Sequence, residues 1–185
     1  MNTALILIDV QESFRQRPYW VEAQAQAFLV RTNALIAGCV ARGTPIVRIL
    51  HSDGPATATN PFATESGFVR PLADLTVHRA AAEFVKRRHS ALVGTGLTVW
   101  LHQNGVGRLI VAGIRTEQCC ETTARHASDE GFEVDYVAEA TLTFDMQHLD
   151  GSPLPAADIV ARTTAVLKDR FATICGVEQA LERAG

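Results

Sequence analysis

Residues 107–129 read GRLIVAGIRTEQCCETTARHASD, and the change of pattern inside this stretch decides the class of fold. Residues 107–112 are a short, nearly unbroken apolar run bounded by glycine, as expected of a strand buried on both faces. Beyond the turn Gly113-Ile114-Arg115, Cys120, Thr123, Ala124 and Ala127 recur at three- and four-residue steps, which is one stripe of a helix. A strand leading straight into a helix is half of a parallel crossover.

The alternation extends in both directions. Apolar or β-branched runs at residues 3–8, 45–50, 82–85, 132–137 and 171–175 bring the expected strands to six. Between the first two, Val21, Ala25, Phe28, Leu29, Thr32, Leu35, Ile36, Cys39 and Val40 share a helical face that Gly43 and Pro45 close. Further helices are expected at residues 95–102, 116–129, 155–168 and 177–184. The fold expected is α/β. It is one domain over residues 1–185, a doubly wound, Rossmann-like, six-stranded and mainly parallel sheet with helices on both faces. Residues 51–79 and 138–155 break the rhythm, and loops of that length in a compact domain are usually functional or disordered.

The chain has 185 residues, 47% hydrophobic and 20% charged, enough for a core without disulfides or a structural metal. Its formal charge is −3 and it has no basic run, which argues against nucleic acid as a partner. No apolar run nears the roughly 20 residues of a spanning helix, and the first residues lack the basic and apolar regions of a secretion signal. A cytoplasmic protein without membrane contact is expected. Its four cysteines, Cys39, Cys119, Cys120 and Cys175, lack C-x-x-C spacing and are expected as thiols. No G-x-G-x-x-G follows the first strand, and no cofactor is expected.

In open parallel sheets ligands bind outside the carboxyl ends of the strands, near the point where strand order reverses. Three chemically able residues follow strands: Asp9 in LILIDVQESF, Lys86 in EFVKRRHSAL and Cys119 in VAGIRTEQCC. Each has a plainer use. Asp9 suits a turn cap; Lys86, beside Arg87 and Arg88, suits a solvated surface; and cysteine is most often a small core residue. Helical spacing separates the adjacent cysteines. Cys120 falls on the stripe that packs against the sheet, and Cys119 lies about 100° round from it. With Thr116 as N-cap, Cys119 occupies a first turn whose unpaired N–H groups and dipole favour a thiolate. Cys39 and Cys175 read as packing residues. His51, His89, His126 and His148 share no ligand spacing, so no metal site is expected.

In combination these segments resemble the isochorismatase-like cysteine hydrolases over nearly the whole chain. The residues that carry the resemblance are Asp9, Gln11 and Phe14 in the first segment, then Lys86, Ser90, Thr95 and Leu97 in the second. They continue in GIRTEQC, similar to the family's G-[IV]-x-T-x-x-C, and in the segments GFEV and VAEATLTF that follow. The resemblance implies a triad of Asp9, Lys86 and Cys119, a cis peptide between Ile114 and Arg115, and an oxyanion hole from the backbone N–H groups of Arg115 and Cys119. Sulfur would attack a carbonyl, Asp9 would carry the proton from thiol to leaving amine, and water would cleave the thioester. Lys86 would keep the carboxylate and the sulfur poised. On this view Asp9→Asn slows alkylation of Cys119.

Departures from the family narrow the activity. Its nicotinamidases carry Asp-x-His after the second strand as metal ligands, where this chain has His51-Ser52-Asp53 in reverse order. Its vinyl ether hydrolases lack the nucleophilic cysteine. The expected activity is therefore metal-independent cleavage of a C–N bond (amide, carbamoyl or ureido) in a small molecule. Isochorismatase-type vinyl ether hydrolysis, or a non-catalytic flavodoxin-like binding domain with a redox-sensitive thiol, are the alternatives. Phe14, His51 and Phe144 are expected in the substrate pocket, and the resemblance further implies a homo-oligomer, dimer or tetramer.

Overall fold

The computed structural model describes residues 2–185. Strand β1 (Asn2–Ile8) is buried from Thr3 onward because it lies at the centre of the sheet, between β2 (Ile46–His51) and β4 (Val106–Ile114). β3 (Ala82–Lys86) lies outside β2, while β5 (Glu133–Leu142) and then β8 (Thr173–Cys175) lie outside β4. All neighbours are parallel, in the order β3-β2-β1-β4-β5-β8. The chain builds outward from β1 through β2 to β3, then returns to the other side of β1. Strand order thus reverses between β1 and β4, where such sheets open a crevice.

Alternation along β1 divides the core. Leu5 and Leu7 face α2 (Glu22–Arg42) and α6 (Val177–Arg183), packing with Phe28, Ile36 and Leu181. Ile6 and Ile8 face α3 (Leu97–Gln103) and α4 (Glu121–Asp129), packing with Leu97, Leu101 and Ala124. α5 (Ala156–Leu167) joins this second layer through Arg162 and Thr163, which both donate to Glu121 Oε2.

The structure differs from the expected elements mainly at strand ends. β5 runs on through residues 138–142, taken above as loop, because an irregularity opposite residues 111–113 of β4 lets it resume pairing at Thr141. The rest of that loop carries a small hairpin, β6 (Met146–Gln147) with β7 (Pro153–Leu154). A short helix, α1 (Glu12–Arg15), was not anticipated, since one turn is too brief to show periodicity. His51 and Lys86 are the last residues of their strands, directly opposite each other in register.

Gly113 sits where β4 comes closest to β1. A Cβ there would lie 1.9 Å from the Ile8 carbonyl oxygen, and its φ of 138° is open only to glycine. Neither strand can yield, because both are enclosed on two faces. Gly113→Ala is expected to destabilise the fold by roughly 4 kcal/mol. Denaturant unfolding measures this, and a loss below about 1 kcal/mol would show that β4 can shift.

Candidate active site

The adjacent strands β3, β2, β1 and β4 deliver Lys86, His51, Asp9 and Cys119 to one edge in that order. Asp9 takes a left-handed backbone (φ 53°), which aspartate tolerates better than most residues, and its N–H donates to Ile49 O at 2.8 Å. Its carboxylate is wholly buried. β3 is not beside β1, so Lys86 must reach past β2. Its Nζ lies 2.7 Å from Asp9 Oδ2, 3.2 Å from Cys119 Sγ and 3.2 Å from His51 Nδ1.

An ammonium has three N–H donors, and here each has an acceptor. His51 Nδ1 must therefore accept, which leaves its proton on Nε2. Burial and the neighbouring Lys86 charge hold the imidazole's pKa down to about 4, so it is neutral at pH 7. Gln11 fixes this residue from both sides: its Oε1 accepts from His51 N–H at 2.7 Å, and its Nε2 donates to His51 O at 2.9 Å. The sequence signal for Gln11 was its place in the first motif; its target was not visible there.

Cys119 lies on a wide turn, Thr116–Cys120, in which Cys120 N–H donates to Arg115 O at 3.1 Å, five residues back. Thr116 is not the cap expected above. Its hydroxyl is spent on Thr141 Oγ1 at 2.8 Å, while the Tyr136 hydroxyl donates to Thr116 O at 2.8 Å, so β5 holds the turn in place. Arg115, in extended conformation, stands at the cap position, and the Ile114–Arg115 peptide is cis. Cys120 is fully enclosed with Thr123, Ala124 and Ala127, whereas Cys119 lines a cavity.

Burial, reinforced by the Asp9 charge, pushes the Cys119 thiol up to about 12, with Lys86 pulling the other way. Burial also raises Asp9 against the pull of Lys86, and Lys86 is raised despite its burial because Asp9 and Cys119 face it. At rest the Lys86 ammonium thus faces the Asp9 carboxyl group and a thiol that is neutral at pH 7. This corrects the thiolate expectation: desolvation outweighs the helix N-terminus. Replacing Asp9 by Asn removes a negative charge and lowers the proton affinity of the thiol, so the pH at which Cys119 ionises should fall.

The cavity encloses about 340 Å³, with Cys119, Asp9 and His51 at its reactive end and Phe14, Tyr19 and Phe62 along its walls. Phe144 is not one of those walls. It is buried behind them, 4.7 Å from the Tyr19 ring, because the Tyr19 side chain covers it. Residues 138–155 contribute nothing to the lining, and Arg17 and Tyr19, just after α1, take their place. Among the described residues no three His, Cys, Asp or Glu side chains are grouped to hold a metal ion. The nicotinamidase type of metal site does not fit this donor set, because the Lys86 ammonium already occupies the inner nitrogen of His51.

The family model described as the Isochorismatase domain matches residues 3–178. The chain belongs to the isochorismatase family. It is 28% identical over 181 residues to the isochorismatase family protein YrdC of Bacillus subtilis, covering 95% of this chain and 92% of that protein. Nicotinamidase 3 of Arabidopsis thaliana is 45% identical over 60 residues, 32% of this chain and 30% of its own. A crystal structure of an isochorismatase-family protein from Chromobacterium violaceum superposes with a TM-score of 0.87 at 28% identity, covering 100% of this chain and 94% of that one. The protein is thus an isochorismatase-family hydrolase with the doubly wound α/β fold. Among the described residues, no helix is long and apolar enough to cross a membrane.

Proposed function

We propose that this protein is a cysteine amidohydrolase that cleaves a C–N bond of a small molecule through a thioester. The observation that carries this reading is the single ammonium of Lys86, placed 2.7 Å from Asp9 and 3.2 Å from the Cys119 sulfur at the end of one cavity. As a carbonyl carbon approaches, Cys119 gives its proton to Asp9, which lies within hydrogen-bonding reach, and the sulfur attacks. The oxyanion takes hydrogen bonds from the N–H groups of Arg115 and Cys119. Protonated Asp9 delivers its proton to the leaving nitrogen, then as a carboxylate activates the water that releases the acid. Lys86 stabilises the Asp9 carboxylate in this dry site at the steps where it is ionised, and His51 offers Nε2–H to the substrate. The raised proton affinity of Asp9 suits a group that must both accept and return a proton.

A panel of small primary amides, carbamoyl and ureido compounds, read by ammonia release, tests the reading. Turnover should survive exhaustive dialysis against a chelator, since the chemistry above assigns every step to groups of the chain itself. Ammonia release that stops on chelation and returns with added zinc or manganese would count against it. So would a panel that stays inert while a vinyl ether is cleaved.

A further inference from the structure

One wall of the cavity carries two guanidinium groups around one aromatic ring. Arg17 lies 5.8 Å and Arg115 5.5 Å from the centroid of Tyr19. Arg115 is also 5.4 Å from the Phe144 ring, and its Nε lies 3.3 Å from Glu117 Oε1. That Nε is enclosed, while the residue as a whole lines the cavity, so its terminal nitrogens form the accessible edge. They meet no protein acceptor among the described residues. Arg17 pairs with no carboxylate among the described residues and also lines the cavity.

Two cations around one ring repel each other, and both gain when an anion accepts from them together. Glu117 meets only one of them. Of the carboxylates that line the cavity, Asp9 is committed to Lys86, and Asp53 is exposed and forms an ion pair with neither arginine. Phe14 and Phe62, in edge-to-face contact at 5.0 Å, give the cavity one apolar wall suited to a short hydrocarbon spacer, with polar Asn60, His89 and Gln118 completing the lining. Resting on the hydrolase reading above, we infer that the substrate carries a carboxylate besides its scissile bond. That carboxylate binds between Arg17 and Arg115, so the substrate class is the short-chain monoamide or ureide of a carboxylic acid.

The anion site can be read without turnover. N-ethylmaleimide and N-(2-carboxyethyl)maleimide add to a thiol through the same bond and differ by one carboxylate on the N-ethyl arm. Their rate ratio at Cys119, followed by peptide mapping, is compared with their ratio on 2-mercaptoethanol. The carboxylated reagent should be favoured at Cys119 by about tenfold at low ionic strength, although the whole chain carries a formal −3. Arg17→Gln should bring the ratio down to the 2-mercaptoethanol value, and Arg88→Gln, an exposed arginine outside the cavity, should leave it unchanged. A wild-type ratio equal to that of 2-mercaptoethanol, or one indifferent to Arg17→Gln, overturns the inference. Ammonia release from succinamate and from butyramide separates the two readings. Equal turnover of both overturns the carboxylate site and keeps the hydrolase. A charge preference at Cys119 with no turnover of any amide keeps the anion site and overturns the hydrolase.

Discussion

Replacement of Cys119 by alanine is expected to lower amide turnover by a factor on the order of 10⁴ or more, whereas Cys120→Ala should keep it within about tenfold of wild type. The two sulfurs are neighbours in sequence and both are buried. Only that of Cys119 is met by the Lys86 ammonium, at 3.2 Å, and only Cys119 lines the cavity. Cys120 packs with Ala124 and Ala127 against the sheet, so its truncation leaves a small void and a loss of about 1–2 kcal/mol in stability. Circular dichroism and thermal unfolding verify that both variants fold. Equal losses of activity in two folded variants would remove the distinction.

Lys86→Met should be nearly as damaging to activity, and it should also destabilise the protein. From sequence alone, a desolvated cation looks dispensable to stability. Its surroundings decide otherwise: Lys86 and Asp9 are both 0% exposed, and among the described residues no other cation forms an ion pair with Asp9. Removing one partner of such a pair leaves the other charge buried alone, at a cost of about 3–5 kcal/mol. For a domain of this size that is a fall in melting temperature of roughly 10 °C. The pH dependence has a definite sign. In the variant the Asp9 pKa is raised still further above its unfolded value. The deficit is therefore absent below the unfolded pKa, about 3.9, and grows as pH rises toward the raised folded one. The double variant Asp9→Asn, Lys86→Met should recover most of the lost stability and none of the activity. For Cys119 alkylation, Lys86→Met should shift the pH profile upward and Asp9→Asn downward, because the two charges act on the thiol with opposite signs. Shifts of the same sign would show that the charges do not govern the thiol.

The six strands were legible as short apolar runs bounded by turn residues, since a central parallel strand is buried on both faces. The faces of α2 and α4 and the separate fates of Cys119 and Cys120 were legible because burial on a helix stripe repeats every three to four residues. The acid, the cation and the thiol were legible for a related reason. In a parallel sheet the residues that end strands gather at one edge, whatever the loops do. Strand order was not legible. β3 sits two places from β1, so Lys86 passes beneath His51, and a histidine with no ligand spacing becomes the third acceptor of its ammonium. The protonation of Cys119 was misread because the position on the helix is a local property, whereas desolvation depends on everything packed around the sulfur. Phe144 was misplaced because an aromatic after a strand can face the cavity or lie behind it, and Tyr19, 125 residues away in sequence, decides which. The guanidinium pair on Tyr19 is likewise written in no motif, since it joins the chain after β1 to the turn after β4. Sequence by itself determined which groups reach the edge of the sheet. The tertiary structure determined which of them touch and which are charged, because contact and dielectric are set by segments far apart along the chain.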